Sequence, residues 1–293
     1  MTTLTVVHRT IYRYRRAVRF GDHRLMFRPR DSHDLRLLDT KLVIEPAATV
    51  RWLHDVFGNS VAIANFDSPA DRLVFESSFC VRHYPIEPEE IVVEPEAQRY
   101  PFEYPVEELP DLAPCVTPQY PDPDGIVAEW AGQFLKPDGS ADTMELLQAM
   151  NCRIREEFTY VRRGELGTRP PLRTMELRSG TCRDYALLMM EAVRALGFAA
   201  RFVTGYLYDA SLMGGDSKLV GSGETHAWVQ VYLPGAGWVE FDPTNALVAG
   251  RNLIRVAVAR DPSQAIPLSG TYFGSGEEDL GMEVKVEVTA EPA

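Results

Sequence analysis

The sequence predicts an α+β fold: an all-β, sandwich-like domain followed by a core in which a helix bearing a cysteine packs on an antiparallel sheet. The first 84 residues form short segments that are rich in β-branched and aromatic residues and are separated by turn signals. Helical periodicity begins near Asp124. After the helices, two alternating segments joined by a turn run from His226 to Asp242. With 293 residues, the chain has room for two domains of ordinary size.

Composition limits the class of protein and its partners. The net charge of −12 argues against nucleic acid. No apolar run approaches the ~18 residues of a membrane span, and the N-terminus lacks the pattern of a secretory signal. The four cysteines are too few and too scattered for a disulfide framework: Cys80, Cys115, Cys152 and Cys182. We therefore expect a soluble, cytoplasmic protein with reduced thiols that binds neither nucleic acid nor membrane.

Charge is distributed unevenly along the chain. Residues 1–36 carry nine arginines against three aspartates, whereas 76–129 and 274–291 are acidic. The interpretation that we favour is that basic and acidic stretches lie near one another in the fold or are solvated. The alternative is an arginine-rich face for an acidic substrate.

Residues 1–84 are predicted to form an N-terminal β-domain. Strands are expected at 5–14, 35–46, 49–53, 61–66 and 73–81, which together suit an antiparallel sandwich or barrel. The histidines of this part have no metal-like spacing and are interpreted as surface or locally bonded side chains: His8, His23, His33, His54 and His83.

Residues 85–123 are predicted to be a linker or an extended segment that wraps between domains. They contain ten of the 21 prolines and many glutamates. Because proline removes an N–H donor and fixes φ, neither a helix nor the interior of a sheet suits this segment.

Residues 124–272 are predicted to form the core domain, and 273–293 a separate acidic C-terminal segment. Apolar residues at helical spacing predict helices near 126–134 and 142–158. A third helix begins at Cys182 and ends at Gly197. The glycine-rich stretch 213–223 is either a lid or a long connection.

Cys182 starts the third helix, directly after the small-residue turn Ser179-Gly180-Thr181. A thiol at this place meets the unpaired N–H groups and the positive end of the helix dipole, which favour the thiolate. Its neighbours Arg183 and Asp184 are not typical of an inert buried thiol, and Asp184 is expected to stabilise the first helical turn. Cys182 is therefore a candidate nucleophile.

The other two parts of an activated-thiol triad are His226 and Asp242, which follow the cysteine by 44 and 60 residues. Alternation places both on the more polar and aromatic face of a hairpin. This requires an odd-length loop or a bulge at the turn 234–237. Direct pairing of Leu233 with Trp238 would turn the two side chains to opposite faces.

The same face carries Trp228, Gln230 and Trp238, which are candidates for substrate binding or for stabilising an oxyanion. For the tryptophans, stacking against the histidine or core packing is the alternative. The backbone N–H of Cys182 is a natural oxyanion donor, and the sequence does not place a second one. One histidine and one nearby cysteine are too few ligands for a metal site, so neither a metal nor another cofactor is predicted.

Three blocks of the core resemble the transglutaminase-like superfamily. They are the stretch Gly180-Thr181-Cys182-Arg183-Asp184-Tyr185-Ala186, the stretch His226-Ala227-Trp228-Val229, and residues 237–245. Residues 8–14, 27–30 and 55–59 are similar to the β-domain that precedes this core in bacterial members. The resemblance implies a papain-like, transglutaminase-like catalytic core over 124–272. In it, Cys182 would be the nucleophile, His226 the base and Asp242 the residue that orients the base.

The resemblance leaves the reaction open, because the family spans protein cross-linking, peptide hydrolysis and amide hydrolysis. We favour a cysteine peptidase or amidase that acts on a peptide or protein. Hydrolysis needs only access of water, whereas cross-linking needs a second site for an amine and exclusion of water. A transglutaminase is the first alternative. A non-catalytic peptide-binding scaffold with a vestigial triad is the second, and the intact Cys182, His226 and Asp242 argue against it.

Overall fold

The computed structural model describes residues 1–162, 167–209, 219–221, 223–250 and 252–290. The chain begins with a long strand, and four more follow it: β1 (Thr2–Leu25), β2 (Leu35–Glu45), β3 (Ala48–His54), β4 (Ser60–Phe66) and β5 (Ala70–His83). In the sheet these strands lie in the order β2-β5-β1-β4-β3. The predicted all-β character of this region is confirmed.

β1 belongs to both halves of a bent sheet. Its first half pairs with β5, and its register shifts between Arg13 and Val18. Its end pairs with β4 at His23–Leu25. Apolar residues from the two halves share one buried cluster, in which the ring centres of Phe66 in β4 and Phe75 in β5 are 6.3 Å apart. The bend therefore gives a single sheet the layered core that is typical of a sandwich.

Residues 85–123 lie against the core as an extended wrap. They contain two 3-10 turns, one short strand and one helix: Pro88–Glu90, Pro95–Ala97, β6 (Arg99–Tyr100) and α1 (Leu109–Val116). The helix was not expected in a proline-rich stretch. Pro110 lies in the first turn of α1, where the backbone N–H has no acceptor within the helix, so the missing N–H of proline loses no hydrogen bond. Pro114 lies inside α1, which is only eight residues long.

The core contains four more helices and a five-stranded antiparallel sheet. The helices are α2 (Ile126–Gly132), α3 (Thr143–Glu157), α4 (Pro171–Leu177) and α5 (Cys182–Ala195). The strands of the sheet are β10 (Ala200–Leu207), β11 (Thr225–Leu233), β12 (Gly237–Asp242), β13 (Leu247–Val248) and β14 (Leu253–Ala259). Three strands of two residues lie outside it: β7 (Ala141–Asp142), which pairs with β6, and β8 (Thr159–Tyr160) and β9 (Ser179–Gly180), which pair with each other. The sheet order is β13-β12-β11-β10-β14. This architecture confirms the predicted α+β class.

α5 is the central helix of the core and is buried on almost every side. Apolar side chains of β11 and β12, such as Val229 and Phe241, pack against one side of it. α2, α3 and α4 contact it from other directions. A helix that is covered in this way needs apolar residues around most of its surface, which the run Ala186–Val193 supplies in large part. Its first residue, Cys182, is thereby held in a fixed place relative to the sheet.

The C-terminal residues complete the N-terminal sheet. β15 (Leu268–Phe273) and β16 (Asp279–Ala290) both pair antiparallel with β1. The sequence predicts a separate acidic segment over 273–293, whereas residues 279–290 form a strand of the N-terminal sheet. Apolar residues alternate with charged ones there, so that Val286 is buried while Glu283 and Glu287 face solvent.

The basic N-terminal stretch and the acidic C-terminal stretch meet in this sheet. Arg16 pairs with Glu278, and Arg13 lies 3.7 Å from Glu283. Arg15 donates to the carbonyl of Glu277 over 2.8 Å. The favoured interpretation of the uneven charge, proximity in the fold, is therefore confirmed for these residues.

The β-domain and the core share a polar and apolar contact surface. His8 is buried and its Nδ1 lies 2.7 Å from the hydroxyl of Tyr206 in β10. The prediction that the N-terminal histidines are surface or locally bonded holds only in part for this residue, because its Nε2 bonds Thr10 Oγ1 over 3.0 Å while its Nδ1 bonds a distant tyrosine. Asn59 accepts from the N–H of Val258 and donates to its carbonyl, over 3.0 and 2.7 Å.

Two further findings bear on the sequence predictions. None of the four cysteines forms a disulfide. Across the described ranges, no helix is both long and apolar enough to cross a membrane. Of the glycine-rich stretch 213–223, residues 213–218 and 222 lie outside the described part, so the lid hypothesis is not addressed by the structure.

Candidate active site

Cys182 is positioned by a capping box at the start of α5. The side chain of Thr181 accepts from the N–H of Asp184, and Asp184 Oδ2 accepts from the N–H of Thr181 over 2.9 Å. Asp184 is fully buried and also accepts from the N–H of Arg169 over 2.7 Å. The predicted role of Asp184 in the first turn is confirmed. A Cβ on Gly180 would lie 2.8 Å from Asp184 Cβ, so the turn requires a glycine.

The hairpin of β11 and β12 satisfies the parity condition. Leu233 pairs with Gly237 and Tyr232 with Trp238, which leaves a loop of residues 234–236. This odd-length loop puts His226 and Asp242 on one face at the same end of the two strands. His226 Nε2 lies 2.8 Å from Asp242 Oδ2, and both side chains are buried.

Asp242 is held by three donors. Besides His226, the N–H of Thr244 donates to Oδ1 over 2.9 Å and Nδ2 of Asn245 donates to Oδ2 over 2.8 Å. Asn245 also accepts from the N–H of Val220 over 2.8 Å and donates to its carbonyl over 3.1 Å. Asn245 therefore ties the aspartate to the backbone at Val220. Sequence analysis assigned no role to Asn245, although its place three residues after Asp242 in a turn is a usable signal.

The electrostatics of the pair favour a charged imidazole. Burial alone would lower the pKa of His226, but the charge and hydrogen bond of Asp242, together with the Cys182 thiol, raise it to about 10. Burial would raise the pKa of Asp242, but His226, Asn245 and the N–H of Thr244 hold it below its usual value. Each side chain thus stabilises the charge of the other.

The thiol has one nitrogen of His226 available to it. Because Nε2 is used by Asp242, this nitrogen is Nδ1, which has no ordinary hydrogen-bond partner in the part of the chain described. Cys182 is only 7% exposed and lies close enough to His226 to raise the pKa of the imidazole. The three predicted triad residues are therefore brought together.

Gly221 covers the thiol side of the imidazole. Its φ is +96°, and a Cβ built on it would lie 2.8 Å from His226 Nδ1. Both the conformation and the space at this position require glycine. The backbone at Gly221 therefore lies close to Nδ1 of His226.

The other predicted candidates lie along the same face, and only one of them contacts the triad. Trp228 is fully buried, with its ring stacked on His226 at 6.1 Å. Gln230 is buried and uses both ends of its amide: Oε1 accepts from Arg201 and Nε2 donates to Glu240. Trp238 lies 4.1 Å from the Arg201 guanidinium. A role for these three residues in substrate or oxyanion binding stays a prediction.

Tyr160 is a residue near the thiol that sequence analysis missed. β8 and β9 pair in parallel, which sets Tyr160 beside Gly180, two residues before the cysteine. Burial raises the pKa of the Tyr160 hydroxyl, and the charge on Cys182 raises it further. The side chain is half-buried. No sequence signal points to it, because β8 is only two residues long.

The described residues contain no group of three histidine, cysteine or acidic side chains that could hold a metal ion.

Comparison with known proteins gives two family matches. Residues 4–82 match the bacterial transglutaminase-like N-terminal region, and residues 131–243 match the transglutaminase-like superfamily. The first range covers most of the β-domain, and the second covers the part of the core that includes Cys182, His226 and Asp242.

Individual relatives extend the similarity over the whole chain. An uncharacterised protein of Mycobacterium tuberculosis is 30% identical over 291 residues, which are 97% of this chain and 91% of that protein. The protein-glutamine gamma-glutamyltransferase of Pseudomonas aeruginosa is 41% identical over 69 residues, which are 24% of this chain and 10% of that protein.

A solved structure shares the fold. The crystal structure of a candidate cysteine protease from Cytophaga hutchinsonii aligns with a TM-score of 0.74 at 19% identity and covers 100% of this chain and 91% of that chain. At this identity the likeness shows the fold alone.

Proposed function

Because this chain belongs to the transglutaminase-like superfamily, we propose that it is a thiol-dependent enzyme that transfers the acyl group of an amide in a peptide or protein. Cys182, His226 and Asp242 would carry the reaction. The observation that carries the proposal is the buried hydrogen bond of 2.8 Å between His226 Nε2 and Asp242 Oδ2. It leaves the other imidazole nitrogen for the thiol.

The steps follow from the charges of the site. The Cys182 thiolate, paired with the His226 imidazolium, attacks the carbonyl carbon of the amide. The resulting oxyanion collapses, the C–N bond breaks, and His226 gives its proton to the departing amine. The acyl group stays on Cys182 as a thioester. Asp242 keeps the imidazole in one orientation throughout.

Two donors are available for the oxyanion. The N–H of Cys182 is at the first position of α5 and has no partner within the helix. We assign the Tyr160 hydroxyl as the second donor, because the pairing of β8 with β9 holds it beside Gly180 and within electrostatic reach of the thiol. Because its pKa is raised, the Tyr160 phenol keeps its proton at neutral pH and remains a hydrogen-bond donor.

Hydrolysis is the preferred fate of the thioester. It requires only a water molecule, activated by His226 after the amine has left. We therefore propose a cysteine peptidase or amidase.

Transfer to an amine is the second candidate. It is favoured by the similarity to the protein-glutamine gamma-glutamyltransferase, which extends over 69 residues of this chain. The deep burial of His226 and Asp242 also restricts water, which suits transfer to an amine.

An alkylating probe read out by mass spectrometry tests the activated thiol. Iodoacetamide at neutral pH is expected to label Cys182 faster than Cys80 and Cys152, which are half-buried and lack a histidine partner. The preference should disappear in His226→Ala. Labelling of Cys182 at the rate of the other cysteines would contradict the proposal.

A glutamine peptide then separates the two fates of the thioester. Release of ammonia without added amine indicates hydrolysis, and incorporation of a labelled primary amine indicates transfer. The Cys182→Ala protein is the control for both readings. If the labelled thiol acts on neither, the substrate is an amide of another kind.

A further inference from the structure

A cavity of about 360 Å³ lies between the β-domain and the polar face of the core sheet. Its floor includes Arg201 and Gln230, and Arg30 stands at its rim. Gln230 follows His226 by four residues on β11, a separation of about 13 Å at about 3.3 Å per residue. The cavity is therefore distinct from the site around Cys182. We call it the arginine cavity.

Arg201 is held in the floor by two contacts, neither of which uses its terminal amino groups. Nε donates to Gln230 Oε1 over 2.8 Å, and the guanidinium lies 4.1 Å from the centre of the Trp238 ring. In the described part of the chain, Arg201 forms no ion pair. Stacking on the Trp238 ring and the hydrogen bond from Nε fix the plane of the guanidinium. The terminal amino groups then point away from the ring and from Gln230.

Glu240, whose charge acts on Arg201, and Asp34, which lines the cavity, are bound to a different arginine. Glu240 Oε1 accepts from Arg255 over 3.1 Å and from Gln230 over 3.1 Å. Asp34 accepts from Arg255 at both oxygens, over 3.1 and 3.0 Å. The side-chain amide of Gln230 lies between Glu240 and Arg201. Glu240 therefore attracts Arg201 across this amide and not through a direct ion pair in the described part of the chain.

The charge of Arg201 is correspondingly disfavoured. Burial, followed by the neighbouring Arg255, lowers the pKa of Arg201 to about 10. A largely buried cation is costly unless a hydrogen-bonded anion compensates it. An anion in the cavity would remove this cost and satisfy the open donors.

We propose that the arginine cavity binds a small oxyanion, a carboxylate or a phosphate, through the terminal amino groups of Arg201. The guanidinium offers two parallel donors, which fit two oxygens of such a group. Arg30 adds a second cation at the exposed rim, where its Nη1 donates to the carbonyl of Phe57. The volume suits a small molecule.

Calorimetric titration of the full chain with inorganic phosphate and with succinate, at constant ionic strength and pH 7, tests the proposal. The wild-type protein is expected to bind at least one of the two with saturation. Arg201→Gln should weaken this binding by about tenfold or more, because a charge-assisted pair is lost. Arg51→Gln, which removes an exposed arginine of β3, is the matched control and should bind as the wild type does.

Two further variants keep the result decisive. Cys182→Ala should bind as the wild type does, since the arginine cavity does not include the thiol, and this outcome is independent of any enzymatic activity. If Arg201→Gln does not fold, Arg30→Gln at the exposed rim replaces it, with an expected loss of about threefold. The proposal is overturned if neither anion saturates the wild type, if the arginine variants bind unchanged, or if Cys182→Ala abolishes binding.

Discussion

His226 and Asp242 form a buried pair, with Nε2 of the imidazole 2.8 Å from Oδ2 of the carboxylate. The two residues are sixteen positions apart and meet because the loop 234–236 has an odd number of residues. In the proposed mechanism, the carboxylate stabilises the imidazolium, and the imidazolium stabilises a thiolate on Cys182. The properties of the thiol should therefore depend on a carboxylate that does not contact it.

Asp242→Asn tests this dependence with little change of shape. Loss of a charge-assisted hydrogen bond worth about 1.5–3 kcal/mol should slow alkylation of Cys182 at neutral pH by about tenfold or more. Glu240→Gln is the matched control, because it neutralises another buried carboxylate of β12 whose partners are Gln230 and Arg255. Equal rates in the wild type and Asp242→Asn would contradict a role of the carboxylate.

Stability should fall as the pH rises above neutrality. The folded-state pKa of His226 is raised to about 10 from an ordinary value of 6.5. Between these values the folded protein holds a proton that the unfolded chain releases, so the contribution of His226 is complete below pH 6.5 and is lost by about pH 10. Urea unfolding at several pH values measures the loss.

His226→Gln is the reference for that measurement, since buried tyrosines also titrate at high pH. The variant should be less stable than the wild type at neutral pH, and the difference should shrink as the pH approaches 10. A difference that is independent of pH would mean that His226 is neutral in the folded protein.

The sequence is informative where the pattern is local. Alternation in the hairpin, the small-residue turn before Cys182 and the glycine after α5 are all read from neighbouring residues, and the structure has the corresponding elements. The alternation of 279–290 is equally local. Composition alone predicts an acidic segment here, because glutamate and aspartate are frequent in it, whereas the alternate apolar positions Val284, Val286 and Val288 indicate a strand.

Other features depend on contacts that sequence spacing does not reveal. Tyr160 reaches the thiol through a strand of two residues, and His8 bonds a tyrosine that is 198 positions away. The amide of Gln230 lies between Arg201 and Glu240, which come from two other strands. Such pairings follow from the sheet order, which periodicity does not specify.

A buried ion pair should make a large contribution to the stability of the core. Arg194 Nη1 lies 2.7 Å from Glu191 Oε1, and the two side chains are 0% and 4% exposed. Arg194 also donates to the carbonyls of Cys115, Ala200 and Arg260. Arg194→Met leaves the carboxylate buried without its cation and should cost about 3–5 kcal/mol in the free energy of unfolding.

Arg173→Met is the control for this substitution. Arg173 and Glu176 have the same spacing of three residues, but their side chains are 52% and 67% exposed. Solvent screens such a pair, so its loss should cost less than about 1 kcal/mol. Denaturant unfolding of both variants gives the comparison, and similar losses in the two would show that burial does not set the strength of the pair.

Asn245 is expected to position Asp242 and, through it, His226. Its Nδ2 donates to Asp242 Oδ2 over 2.8 Å, and its amide bonds both backbone groups of Val220. In Asn245→Ala, Asp242 loses a donor that holds its pKa down. Alkylation of Cys182 should slow by about threefold to tenfold, as for the loss of one hydrogen bond.

The pH profile of alkylation distinguishes positioning from a loss of structure. Because the pKa of Asp242 rises in Asn245→Ala, the decline of the rate at acidic pH should begin at a higher pH than in the wild type. Asn252→Ala is the control, since Asn252 also bonds backbone, the carbonyl of Tyr208 over 2.7 Å, but does not contact Asp242. An unshifted profile in Asn245→Ala, or the same shift in Asn252→Ala, would rule out a specific effect on the aspartate.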